Sequence, residues 1–151
     1  MKYRRNLALG EALASQMSEF VRSLQWDTDM LVPIPLGRNR LKERGYNQVA
    51  LVAEPLAYLV DLKYVPQALR KSRETRSQVG LNVSQRRDNV TNAYQADAAL
   101  VIGKSVLLMD DVATTGSTIL SSTEALLTAG ARDVYAVTIA RALPHHSLNR
   151  V

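Results

Sequence analysis

With 151 residues, 46% hydrophobic and 22% charged, the chain is sized for one globular domain, residues 1–151, and leaves no room for a second full one. The absence of cysteine excludes disulfides and cysteine zinc sites, and the two histidines, His145 and His146, cannot complete a metal site by themselves. A formal charge of +5 would suit nucleic acid, but no apolar run reaches the ~20 residues of a membrane span and no signal peptide opens the sequence, so a cytoplasmic protein with no membrane partner is expected.

Apolar residues recur at helical spacing over residues 6–24 (Leu7, Leu9, Leu13, Met17, Phe20, Val21), which predicts a first amphipathic helix. Met30-Leu-Val-Pro-Ile34 predicts a core strand, and Pro35-Leu-Gly-Arg38 stops it and sets a loop. A second helix is expected over residues 41–60, irregular at Gly45 and Pro55, with Leu51, Val52, Leu56 and Leu59 inward. Residues 64–69 predict a short strand. Residues 70–89 are too polar for a core element and predict a flexible basic loop, in which Ser84 is suited to cap a helical turn through Asp88. A brief strand at 91–95 precedes a buried one at 106–109, then a helix at 119–129 ended by Gly130, then a last strand at 134–139. The alternation predicts an α/β fold, a parallel sheet with helices on both faces.

The cations are concentrated. Of nineteen Lys and Arg, four are Arg38, Arg40, Lys42 and Arg44, and six are Arg70, Lys71, Arg73, Arg76, Arg86 and Arg87. Such clusters suit a diphosphate or a nucleic-acid backbone. With one Trp, one Phe and scattered Tyr, no base-stacking surface is indicated, so nucleic acid is the less favoured partner.

The most informative stretch is residues 106–118, V-L-L-M-D-D-V-A-T-T-G-S-T. The apolar run ends in Asp110 and Asp111, where open α/β sheets place ligands. The loop of Ala113, Thr114, Thr115, Gly116, Ser117 and Thr118 is small, hydroxylated and centred on glycine, just before a helix. Its backbone N–H groups and hydroxyls can turn toward one phosphate at the positive end of that helix. A nucleotide triphosphatase is the competing reading, because Gly103-Lys104-Ser105 echoes a P-loop. That echo fails: Ala98 stands where the leading glycine belongs, and the Gly-Lys-Ser precedes a strand rather than opening a helix.

All thirteen positions of this stretch fit the phosphoribosyl pyrophosphate (PRPP) motif that the chain shares, by resemblance, with type I phosphoribosyltransferases. More narrowly, V-P-I-P-L with R-L-K-E-R-G-Y-N-Q (40–48), R-E-T-R-S-Q (73–78) and R-R-D-N-V (86–90) resembles the competence protein F (ComF) branch. Members of that branch usually carry an N-terminal cysteine-rich zinc ribbon, which this sequence lacks, so a truncated or ribbon-free form is expected and a DNA-uptake role is weakened.

The resemblance implies a type I phosphoribosyltransferase fold with a small hood, to which residues 1–28 contribute. It also implies PRPP, or another phosphorylated ribose, as ligand. Asp110 and Asp111 would take the ribose hydroxyls, residues 113–118 the 5′-phosphate, and Leu36, Gly37 and Arg38 the pyrophosphate. Mg²⁺ would come with the substrate, reaching Asp110 and Asp111 through water, and not through direct protein ligands. Catalysis would rest on Asp110 and Asp111 and on Arg73 and Arg76 closing from the loop. The implied reaction transfers ribose 5-phosphate to an acceptor that nothing in the sequence identifies. The alternatives are a non-catalytic PRPP or nucleotide sensor and a DNA-uptake accessory protein; a homodimer is the assembly to test.

Overall fold

A computed structural model describes residues 2–72, 82 and 93–142, with side chains from residue 6 onward. Arg73, Arg76, Ser84 and both histidines, and most of the loop expected over 70–89, lie outside the described residues.

Helix α1 (Lys2–Ser23) leads to β1 (Met30–Pro33), all four residues of which are buried. The helix expected over 41–60 is in fact two, α2 (Arg38–Arg44) and α3 (Gln48–Leu59). Gly45 ends the first at φ +78, where its N–H reaches the Leu41 carbonyl at 2.8 Å, and Asn47 caps the second by accepting from Val49 N at 3.2 Å. The polar R-G-Y-N run thus interrupts the helix, whereas Pro55 sits inside α3 without breaking it.

That tolerance has a local cause. Pro55 has no N–H for the carbonyl four residues back, that of Leu51. A Cβ at Gly10 of α1 would lie 2.4 Å from that same oxygen. The carbonyl freed by proline therefore faces the one residue of α1 small enough to accept it, and Ala14 one turn on is fully buried in the same seam.

The strand expected at 64–69 is also divided. β2 (Lys63–Tyr64) pairs with β1, a 3₁₀ turn (Pro66–Ala68) follows, and β3 (Leu69–Lys71) runs antiparallel to β4 (Tyr94–Ala96) in a separate two-stranded sheet. Pro66 cannot donate to a ladder, so the first pairing stops there. The strand expected at 91–95 accordingly belongs to this small sheet and not to the parallel one. A helical turn α4 (Ala98–Val101), capped by Asp97 accepting from Ala99 N at 3.0 Å, was not expected from the sequence. β5 (Ser105–Ala113), α5 (Ser117–Thr128) and β6 (Asp133–Arg141) complete the chain, and Gly103 turns into β5 at φ +68.

The main sheet has the order β2-β1-β5-β6 with every pair parallel. Period-two alternation along β5 sends Val106 and Leu108 into a core with Val32, Leu69, Tyr94 and Leu126, and Leu107 and Met109 into a second core with Ala14, Val52 and Leu56. One face is covered by α1 and α3, the other by α5, α4 and the β3–β4 pair, as the α/β expectation required.

Candidate active site

The cleft exists because β5 outruns β1. Their pairing ends at Pro33 against Met109, with a last bond from Ile34 N to the Met109 carbonyl at 2.8 Å. Pro35 then turns the chain away, while β5 continues beside β6 through Asp110 opposite Thr138 and Val112 opposite Ala140. Asp110 and Asp111 therefore lie within the strand, not just beyond it. A cavity of about 490 Å³ opens at this carboxyl end of the sheet.

The same alternation separates the two acids. Asp110 continues the Val106–Leu108 series toward Tyr94 and the loop before α5, where it is 9% exposed; Asp111 continues the Leu107–Met109 series toward α1 and α3 and is half-buried. Past the end of β1 the strand's own amides need acceptors, and the acids supply them. Asp111 N donates to Asp110 Oδ1 at 2.9 Å and Val112 N to Asp111 Oδ1 at 2.7 Å. Burial pushes the Asp110 carboxyl from 3.8 up to about 6, helped by the negative Asp111 beside it and opposed by the amide bond. Burial, then the charge of Asp110, pushes the Tyr94 hydroxyl up to about 12 against the opposing pull of Arg40. Tyr94 thus stays a neutral phenol near neutral pH.

Thr114 to Gly116 form the bend before α5, and Gly116 takes the N-cap position at φ +77 with no side chain to bond the first helical amides. Thr115 Oγ1 and Ser117 Oγ are 2.6 Å apart, and Ser117 N lies 3.4 Å from Thr115 Oγ1. Asp110 and residues 112–119 line one small recess here, and Thr118 also lines the larger cavity, so the two communicate. Of the first loop, Leu36 and Gly37 line the cavity, while Arg38 is exposed at the first position of α2. The cations that do line it are Arg40, Arg44 and Lys71.

Asn47 fixes this loop. Its Nδ2 donates to the Ile34 carbonyl at 3.0 Å while its Oδ1 caps α3. Tyr94, at the cavity wall, lies under Lys71 with the ammonium 5.7 Å from the ring centroid. Sequence reasoning missed both residues. The asparagine before an apolar helical run was a usable signal; the tyrosine had none, because β4 reaches the site only through pairing with β3.

A family model described as "Phosphoribosyl transferase domain" matches residues 3–147. The chain is 33% identical over 115 residues to the DNA utilization protein YhgH of Escherichia coli O157:H7, covering 76% of this chain and 50% of that protein. It is 31% identical over 148 residues to YhgH of Salmonella typhi, with 95% and 65% covered. It is 32% identical over 120 residues to Competence protein F of Haemophilus influenzae, with 76% and 51% covered. The chain thus spans about half to two thirds of the length of the curated relatives it matches. Among solved structures, it is similar to the glutamine phosphoribosylpyrophosphate amidotransferase from B. subtilis complexed with ADP and GMP, at a TM-score of 0.58 and 22% identity over 94% of this chain and 27% of that one. It is also similar to an adenine phosphoribosyltransferase from Thermoanaerobacter pseudethanolicus, at 0.52 and 20% over 84% and 67%. At these identities the likeness is one of fold, the type I phosphoribosyltransferase fold that the sequence led us to expect.

Proposed function

Because this chain belongs to the phosphoribosyl transferase domain family, in its ComF-like branch, we propose that it binds PRPP with Mg²⁺ and transfers the ribose 5-phosphate group to an acceptor, releasing pyrophosphate. The observation that carries this reading is the meeting of three segments at one cavity: Leu36 and Gly37, the acids Asp110 and Asp111, and Thr118 at the edge of the uncapped loop.

In this reading the amides at the start of α5 and the hydroxyls of Thr114, Thr115, Ser117 and Thr118 hold the 5′-phosphate. Asp110 and Asp111 accept from the ribose hydroxyls and favour the positive charge that grows on the ring as the bond from C1 to the pyrophosphate oxygen breaks and the bond from C1 to the acceptor forms. Leu36, Gly37 and Arg38 bind the leaving diphosphate with Arg40, Arg44 and Lys71, and Arg73 and Arg76 close over it. Tyr94, kept neutral, offers a hydroxyl beside Asp110. No cluster of three His, Cys, Asp or Glu among the described residues could hold a metal, and the two acids face opposite sides of β5. These residues suit Mg²⁺ carried by the diphosphate and met through water, where it neutralises the leaving group. Among the described residues no helix is long and apolar enough to cross a membrane, and we place the protein in the cytoplasm.

The test is a PRPP titration with and without Mg²⁺, followed by a pyrophosphate-release screen over bases, glutamine and ammonia. Release with one acceptor is the expected result. Binding without release would replace the enzyme with a sensor, and binding of DNA alone would favour the accessory role that the relatives' names suggest.

A further inference from the structure

A second cavity, of about 240 Å³, lies on the other side of Asp111. Leu9, Gly10 and Leu13 of α1, Leu51 and Val52 of α3, and Ile139 of β6 make its apolar walls; Asn6, Tyr46, Gln48 and Asp111 are its polar residues. Asp111 and Gln48 also line the larger cleft, so the two spaces share a wall. Resting on the phosphoribosyl reading, we propose that this cavity selects the acceptor, admitting an uncharged molecule of one or two rings and excluding carboxylated rings, amines and nucleic-acid chains.

Size sets the first limit. An apolar cavity of about 150 Å³ holds a benzene, and drug-sized ligands take about 300 Å³ or more, so 240 Å³ lies between one ring and a drug-sized molecule. Charge sets the second. No Lys, Arg or His lines the cavity, and its one ionisable acid is Asp111. A carboxylate entering there would lose water, find no counter-charge and face a like charge, whereas ammonia or a small amine would leave the leucine walls unfilled.

The polar residues supply orientation. Asn6 Nδ2 donates to Tyr46 Oη at 2.8 Å, and Gln48 Oε1 accepts from Arg44 at 2.7 Å. Each amide thereby keeps its other end, the Asn6 carbonyl and the Gln48 Nε2, for a ring with one donor and one acceptor. Alternation along β5 fits the geometry of transfer, because the phosphate loop is on the Asp110 side and this cavity on the Asp111 side, with the sugar between.

The experiment titrates the full chain with benzimidazole as the neutral two-ring probe, nicotinate as the carboxylated one, and ribose 5-phosphate, reading Leu and Ile methyl resonances. Benzimidazole should shift Leu13 and Ile139 and bind about tenfold or more tighter than nicotinate. Leu9→Trp, at an exposed position of the wall, and Leu13→Phe should each weaken benzimidazole about tenfold and leave ribose 5-phosphate binding unchanged. Nicotinate binding as well as benzimidazole, or benzimidazole binding unaltered in both variants, would overturn the proposal. Ribose 5-phosphate binding without ring binding also overturns it and leaves the phosphoribosyl reading intact. Ring binding without ribose 5-phosphate binding upholds the cavity's selectivity and strikes the phosphoribosyl reading instead.

Discussion

Asp110 and Asp111 are adjacent in sequence yet meet different surroundings, because a strand sends successive side chains to opposite faces. Asp110 bears the cost of its position. Its carboxyl is raised from 3.8 to about 6, so the native state keeps a proton that the unfolded chain has already lost. The resulting stability is fully present below pH 3.8 and is lost as the pH rises through about 6. In the ligand-free protein Asp110→Asn should therefore unfold at higher urea than the parent at pH 8, by about 2 kcal/mol, and the gain should vanish near pH 3.5. Urea unfolding at the two pH values checks this, and equal stability at pH 8 would mean that the carboxylate is not desolvated. The residue scale is also where the sequence was most legible. The chemistry of residues 106–118 is local, and the glycine, hydroxyls and paired acids stand in their functional order. Tyr94 was illegible because only the pairing of β3 with β4 brings it to Asp110.

At the scale of elements, the sequence showed where helices and strands exist and misjudged where they stop. Helix 41–60 read as continuous because apolar periodicity outweighed the cap signals in R-G-Y-N. The short strands β2, β3 and β4 depend on partners far along the chain, which a local pattern cannot name. Two predictions belong here. Asn47→Ala removes the cap of α3 and the donor to the Ile34 carbonyl, so it should cost about 1 to 2 kcal/mol of stability. It should also raise the KM for PRPP more than it lowers kcat, since it loosens the loop of Leu36 and Gly37; steady-state kinetics beside thermal unfolding separates the two effects. Gly10→Ala places a methyl 2.4 Å from the Leu51 carbonyl, in the seam where α1 crosses α3. It should destabilise the fold by about 1 to 3 kcal/mol through forced separation of the helices, measured by chemical unfolding.

At the scale of the whole molecule, the order β2-β1-β5-β6 puts the longer β5 beside the shorter β1, and that mismatch in length makes the cleft. The sequence foretold a parallel sheet covered on both faces, but the small antiparallel sheet and the cavity beside α1 come from packing between distant segments. The account stands on the claim that this cleft holds a phosphoribosyl group through Asp110, Asp111 and the loop before α5. The direct measurement is the thermal shift produced by PRPP with Mg²⁺ in the parent and in Asp110→Asn with Asp111→Asn, each referred to its own ligand-free state. At about a hundred times the dissociation constant PRPP should stabilise the parent by about 2.7 kcal/mol by mass action. The double variant should fold and show no shift; a shift in it as large as that of the parent would contradict the account.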